Sequence, residues 1–174
     1  FPYANLTMSL LFLSRVTRID ITYCTSQLCR FMQAPSIRHW EYALHVLRYV
    51  LGTPTLGLTY SAHATSSQLI SFVDSEFGNA DPVTRKSYTG NVIFFAGAPI
   101  SWSVKQLPRA ADSSNETEYM GLKYAADRVA VARLKLQGLG FAAETLAPTL
   151  LLSDNKLAIA MANVQCNTNK TKHI

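Results

Sequence analysis

The spacing of apolar side chains predicts helices in the first part of the chain. Between Ile21 and Phe31, apolar residues recur at intervals of three and four, which is the pattern of a helix with one buried face. Pro35 ends this helix, and a second helix is predicted over residues 36–52. The side chains on the predicted inner face of the second helix are Trp40, Ala43, Leu44, Leu47 and Val50.

The pattern changes after Tyr60. A small and polar stretch at 62–67 predicts a linker, after which short apolar runs predict strands and longer amphipathic runs predict helices. The predicted order is three strands at 68–74, 88–96 and 100–104, a helix at 114–136, a buried strand at 150–153 and a helix, capped by Asn155, that reaches 163. The sequence therefore predicts a small helical segment at 1–66 and an α/β domain at 67–174.

Two aspartates stand at the ends of predicted strands. Asp74 closes the first strand and shares a face with Ile70 and Phe72, at the rim of a buried surface, and Asp154 follows the strand at 150–153. If these strands are parallel neighbours, both carboxylates project from the same carboxyl edge of the sheet, where ligands of open α/β sheets commonly bind. An aspartate that follows a strand is also a common cap or turn residue, so the spacing alone leaves both roles open.

The long helix contains two glutamates with different expected roles. Glu116 stands three residues after Ser113, which is the spacing of a capping box in which Glu116 reaches back to Ser113. Glu118 instead falls on the apolar stripe that continues through Leu122 and Ala125, so it faces the core near the start of the helix. A carboxylate in that position needs a partner, because burying a bare charge is costly.

Three converging carboxylates predict a site for divalent cations. Their charges would repel one another without cations, and carboxylate oxygens, phosphate and water are the ligands that Mg²⁺ prefers. Two such ions can activate a water and stabilise the leaving oxygen of a phosphodiester. The candidate catalytic residues and metal ligands are Asp74, Glu118 and Asp154, with two Mg²⁺ ions, or Mn²⁺, as the expected cofactor.

The formal net charge of +5 favours a partner that carries phosphate. The candidate phosphate contacts are Arg85, Lys86, Lys105 and Arg109. The alternative is that these side chains are ordinary solvated charges. No membrane span or signal segment is predicted, and the three cysteines show no metal-binding spacing, which favours free thiols in a reducing, intracellular setting. These cysteines are Cys24, Cys29 and Cys166.

Six segments stand out along the chain, in this order: PYANLTMSLLFLSRVTRIDITY, RFMQAPSIRHWEYALHVLRYVLGTPTLGLTYS, GAPISWSVKQ, SSNETEYMGL, SDNKLAIAMAN and TKHI. These segments resemble Pol polyproteins of Ty1/copia-type retrotransposons, from the end of the reverse transcriptase region into ribonuclease H (RNase H). Together they cover nearly the whole chain, and their shared order makes the resemblance specific.

The resemblance implies an RNase H-like mixed five-stranded sheet flanked by helices, and cleavage of the RNA strand of RNA–DNA hybrids. The family's first aspartate, helix glutamate and next aspartate fall on Asp74, Glu118 and Asp154. The segment at 1–66 resembles the connection that follows the reverse transcriptase, which is expected to help grip the hybrid. The implied partners are the hybrid and the rest of the polyprotein, and the implied location is a cytoplasmic retroelement particle or the nucleus.

The chain also departs from the family pattern. Asp74 is followed by Ser75-Glu76-Phe77 where the family usually has A-D-W, and Ile19 replaces the proline of T-R-P-D-I. A fourth acidic residue is expected just after TKHI, where this sequence stops, and no Tyr-x-Asp-Asp polymerase motif occurs. These departures leave open a truncated or decayed fragment that binds nucleic acid without cutting it.

A transposase or integrase of the same fold is disfavoured by the order of the acidic residues. Those enzymes usually carry their glutamate last in the chain, whereas Glu118 lies between two aspartates.

Overall fold

The computed structural model describes residues 2–63, 67–78, 85–143 and 147–163. The chain divides into two compact units, Phe1–Tyr60 and Ser61–Ile174. Among the described helices, none combines the length and the apolar character that crossing a membrane requires. Cys24 and Cys29 are free thiols, while Cys166 and the TKHI segment lie outside the described residues.

The first unit is a small bundle of helices. Helix α1 spans Tyr3–Val16, a 3₁₀ turn spans Ile19–Ile21, α2 spans Thr22–Cys29 and α3 spans Ile37–Gly52. The core of the unit takes apolar side chains from all of these elements: Tyr3, Leu10, Ile21, Leu28, Ala43 and Val46. The hydroxyl of Ser36 accepts a hydrogen bond from the backbone N–H of His39 and so caps α3.

The helical prediction was right for α3 and incomplete before it. Helix α1 agrees with the prediction that the first sixty residues are helical, although its bounds were not predicted. Helix α2 ends at Cys29, before the predicted end of its apolar face. Cys24 and Phe31 are exposed, whereas Thr25 is fully buried and donates its hydroxyl to the carbonyl of Ile21 at 2.9 Å. A threonine that satisfies its hydroxyl within its own helix occupies an inner position, which hydrophobic periodicity does not detect.

Arg18 connects the end of α1 to the end of α3. Its guanidinium is buried and donates to both carboxylate oxygens of Asp20, at 3.0 and 2.8 Å. It also donates to the carbonyl and hydroxyl oxygens of Thr53, at 3.1 and 2.7 Å. The hydrogen bond from Arg18 lowers the pKa of Asp20, so the pair stays charged.

The second unit is a mixed α/β domain. Its elements are β1 at Ile70–Glu76, β2 at Tyr88–Phe95, β3 at Ala98–Gln106, α4 at Ser114–Gly138, β4 at Leu150–Leu152 and α5 at Lys156–Asn163. The strand order is β3-β2-β1-β4, with β1 antiparallel to β2 and parallel to β4. The mixed α/β prediction is confirmed, but the sheet has four strands in the described part of the chain, not the five that the resemblance implied.

Several strand boundaries differ from the prediction, and those of β1 and β3 differ most. Ala96 and Gly97 form the turn between β2 and β3 with φ angles of 52° and 76°, as a tight two-residue hairpin requires. Strand β3 therefore begins at Ala98, earlier than predicted. Strand β1 continues to Glu76, so Asp74 lies within the strand rather than at its last residue.

One face of the sheet was predicted to be buried and is open. Phe72 pairs with Leu152 in the parallel register, and Ile70 pairs with Leu150. Phe72 and Leu150 are each 47% exposed, and Leu152 is 41% exposed. Asp74 shares this face by strand alternation and is exposed as well, so it does not lie at the rim of a buried surface.

Candidate metal centre

Three acidic side chains from distant parts of the chain converge at one end of the sheet. Asp74 comes from β1, Asp154 follows the parallel strand β4, and Glu118 comes from the start of α4. One carboxylate oxygen from each residue lies within 4.8 Å of the other two. The parallel pairing of β1 with β4 places the two aspartates side by side, which is the arrangement that the sequence reasoning required.

The three carboxylates differ in exposure. Asp74 and Asp154 are exposed, whereas Glu118 is buried. Burial and the negative charges of Asp74 and Asp154 raise the pKa of Glu118 to about 7, against the opposing effect of a hydrogen bond from the backbone N–H of Ser75.

The donor set fits a hard divalent cation. The Oε2 atom of Glu118 is fully buried and accepts no hydrogen bond from the described residues. A buried carboxylate oxygen is costly unless a proton or a cation lies beside it. Three carboxylates, with no nitrogen or sulfur ligand in the group, match the preference of Mg²⁺ and Mn²⁺ for oxygen.

Helix α4 approaches β1 closely because a glycine faces the strand. A Cβ atom at Gly121 would collide with the hydroxyl of Ser75 and lie 3.0 Å from Oγ1 of Thr89. The hydroxyl of Ser75 donates to Oγ1 of Thr89 at 3.1 Å. Because Glu118 lies one turn before Gly121, this contact sets the distance from the glutamate to β1. The sequence reasoning missed both Gly121 and Ser75, although a glycine inside a helical pattern was an available signal.

Glu116 has a structural role at the start of α4. The hydroxyl of Ser113 accepts a hydrogen bond from the backbone N–H of Glu116 at 3.2 Å, which is the predicted cap. The carboxylate of Glu116 accepts from the backbone N–H of Asp112 at 2.8 Å, not from Ser113 as predicted. It also forms an ion pair with Arg109 at 2.6 Å, so this candidate phosphate contact already has an acidic partner.

Asn155 connects the starts of the two helices that flank the acidic group. Its Oδ1 accepts from the backbone N–H groups of Leu157 and Ala158 at 3.0 and 2.9 Å, which is the predicted cap of α5. Its Nδ2 donates to Oδ1 of Asn115, in the first turn of α4, at 3.2 Å. Asp154 precedes α5 directly and Glu118 lies near the start of α4, so this hydrogen bond connects the two segments that carry these carboxylates. The link between Asn155 and Asn115 was not predicted.

The other basic candidates lie near the same end of the sheet. Arg85 is exposed and Lys86 is half-buried, and both come just before β2. Lys105 is exposed and lies two strands away from Ser75 in the register, which puts their Cα atoms roughly 10 Å apart. The ammonium of Lys105 lies 5.2 Å from the centre of the Tyr124 ring.

Comparison with known proteins finds relatives that include an effector protein and several retrotransposon proteins. The chain is 32% identical over 124 residues to secreted RxLR effector protein 161 of Plasmopara viticola, which covers 71% of this chain and 86% of that protein. It is 29% identical over 173 residues to the retrovirus-related Pol polyprotein from transposon TNT 1-94 of Nicotiana tabacum, which covers 99% of this chain but 13% of the polyprotein. It is 35% identical over 120 residues to a putative transposon Ty5-1 protein of Saccharomyces cerevisiae, which covers 68% of this chain and 38% of that protein. No protein-family model and no solved structure matches the chain.

Proposed function

We propose that the second unit is an RNase H-type endonuclease domain. The chain belongs to the same family as the Plasmopara viticola protein, and its similarity to retrotransposon Pol polyproteins supports a retroelement-derived fragment. Its substrate is the RNA strand of an RNA–DNA hybrid, and its reaction is phosphodiester hydrolysis with two divalent ions. The observation that supports this most directly is the convergence of Asp74, Glu118 and Asp154 within 4.8 Å.

The three carboxylates hold the metal, and each contributes differently. Mg²⁺ or Mn²⁺ bound there supplies the Lewis acidity and the activated water that phosphodiester hydrolysis needs. Glu118 offers a buried oxygen that accepts no hydrogen bond from the described residues. A carboxyl group binds a cation only when it is deprotonated, and with a pKa of about 7 Glu118 releases its proton when the cation binds. The backbone N–H of Ser75 orients the Glu118 carboxylate, while the exposed Asp74 and Asp154 present theirs on the side that substrate can reach.

The hybrid binds across this end of the sheet. Arg85, Lys86 and Lys105 contact phosphates, so binding weakens steeply as salt is added. The 2′-hydroxyls of the RNA strand distinguish it from DNA. The helical unit is the connection segment that follows the reverse transcriptase, and it grips the hybrid. The rest of the Pol polyprotein is a partner. The location is intracellular.

Cleavage of an end-labelled RNA–DNA hybrid in Mg²⁺ tests the proposal. We expect wild-type chain to cut the RNA strand and Asp74→Asn to lose at least about a hundredfold in rate, since the substitution removes a metal ligand. Glu76→Gln is the matched control, because Glu76 is an exposed carboxylate on the same strand that lies outside the acidic group.

The outcomes separate the possible functions. Cleavage that survives Asp74→Asn would contradict the metal-site assignment. Hybrid binding without cleavage, with Mg²⁺ or Mn²⁺, would instead identify the chain as a fragment that keeps the fold and binds nucleic acid.

A further inference from the structure

We infer that a second site, a cavity between β3 and the second half of α4, binds an acidic peptide segment of a partner protein. The cavity has a volume of about 290 Å³ and has both apolar and basic walls. The apolar side is lined by residues that include Ile100, Val131, Leu136 and Leu139, and the basic side by Arg128 and Lys135. Arg128 lies ten residues after Glu118 on α4, about 15 Å along the helix, so this cavity is separate from the acidic group.

Among the residues that the structure describes, the basic wall of the cavity has no acidic partner. Arg128 donates from Nη2 to the hydroxyl of Ser101 at 2.7 Å, while its Nε is fully buried and finds no acceptor in the described part of the chain. Within the described residues neither Arg128 nor Lys135 forms an ion pair, and the lining of the cavity contains no carboxylate. A half-buried guanidinium without a counter-ion is unfavourable, and a carboxylate from a ligand would relieve that cost.

The apolar wall indicates a peptide as the ligand. Val131 and Leu139 are 50% and 73% exposed, and Ile100 is 38% exposed, so apolar surface extends outward from the cavity. Contiguous apolar surface of this kind is typical of protein contact sites. The cavity lies just below the usual range of roughly 300–1,000 Å³ for drug-sized ligands, so it has room for at least one large aliphatic side chain. A segment that carries such a side chain next to a carboxylate matches both walls, whereas nucleic acid would leave the apolar wall unmatched.

Fluorescence anisotropy with the full chain tests this inference. The probe is a labelled, acetylated and amidated peptide of alternating leucine and glutamate, and its counterpart has glutamine in place of glutamate. We expect the acidic peptide to bind and the glutamine peptide to bind about tenfold more weakly, because hydrogen bonds to a charged group are stronger than neutral ones. Lys135→Glu and Arg128→Gln should each weaken the acidic peptide by about tenfold. Lys123→Glu is the control, since Lys123 is exposed on the same helix and does not line the cavity.

Every other result would overturn the inference. Absence of binding at millimolar peptide, equal binding of the two peptides, or unchanged binding to Lys135→Glu each contradicts an acidic-peptide site. If a short RNA–DNA hybrid displaces the peptide from wild-type chain, and if Lys135→Glu abolishes hybrid binding, the surface binds nucleic acid instead. Lys135 is exposed, so its variant should fold even if Arg128→Gln does not, and circular dichroism checks this. The outcome does not depend on whether the chain cleaves RNA.

Discussion

Replacing Gly121 with alanine tests whether the contact between α4 and β1 sets the position of Glu118. The added Cβ would overlap the hydroxyl of Ser75 and lie 3.0 Å from Oγ1 of Thr89. The Ser75 hydroxyl is buried and can move away only by giving up its 3.1 Å bond to Thr89. Overpacking costs about 1–3 kcal/mol and the lost hydrogen bond about 1 kcal/mol, while alanine returns up to about 1 kcal/mol of helix propensity. We therefore expect a net loss of about 1–3 kcal/mol in the free energy of unfolding.

Urea denaturation followed by circular dichroism measures this loss, with Gly138→Ala as the matched control. A Cβ at Gly138, on the same helix, would meet nothing within 4 Å, so that variant should keep or slightly gain stability. Adding Ser75→Ala to Gly121→Ala removes the overlapping hydroxyl and should recover about half of the loss. Titration calorimetry with Mg²⁺ should show weaker binding, by about tenfold, because α4 and Glu118 shift away from β1. Equal stability of Gly121→Ala and Gly138→Ala would refute the packing argument.

Three further substitutions test other parts of the structure. In the absence of metal, the pKa of Glu118 is about 7 in the folded state, against an ordinary value of about 4.5. The folded state therefore binds more protons than the unfolded state, and the free energy of unfolding falls as the pH rises from 4.5 to 7. Glu118→Gln should remove about 2 kcal/mol of this fall, as urea denaturation in EDTA at several pH values would show. An unchanged pH dependence would contradict the raised pKa of Glu118. Asn155→Ser keeps a cap for α5, but the serine side chain is too short to reach Asn115. Calorimetry should therefore find weaker Mg²⁺ binding with little change in melting temperature. Equal Mg²⁺ affinity would contradict a role of the Asn155–Asn115 hydrogen bond in positioning the acidic residues. Arg18→Met removes the ion pair with the partly exposed Asp20 and the hydrogen bonds to Thr53, and should destabilise the helical unit by about 1–2 kcal/mol in thermal melts. Arg15→Met, at an exposed position, should not.

Local hydrogen bonding made several details of the fold predictable. The predicted caps at Ser113 and Asn155 each join atoms two or three residues apart, so a short stretch of sequence contains both partners. Helix phase separated Glu118 from Glu116 in the same way, because residues at intervals of three and four share one face.

Contacts between distant segments were not predictable in this way. The sequence by itself placed Asp74 in a strand, Asp154 directly after another strand and Glu118 on the apolar face of a helix, and this was enough to select the three acidic residues. Only the tertiary structure decided that β4 pairs with β1 in parallel, that Asn155 reaches Asn115 across 40 residues, and that Gly121 meets Ser75. It also decided that one face of the sheet is open and that Glu118 is buried beside two other charges, which raises its pKa. Burial, electrostatic repulsion and close approach all depend on neighbours that the chain brings together only when it folds, and hydrophobic periodicity carries no record of them.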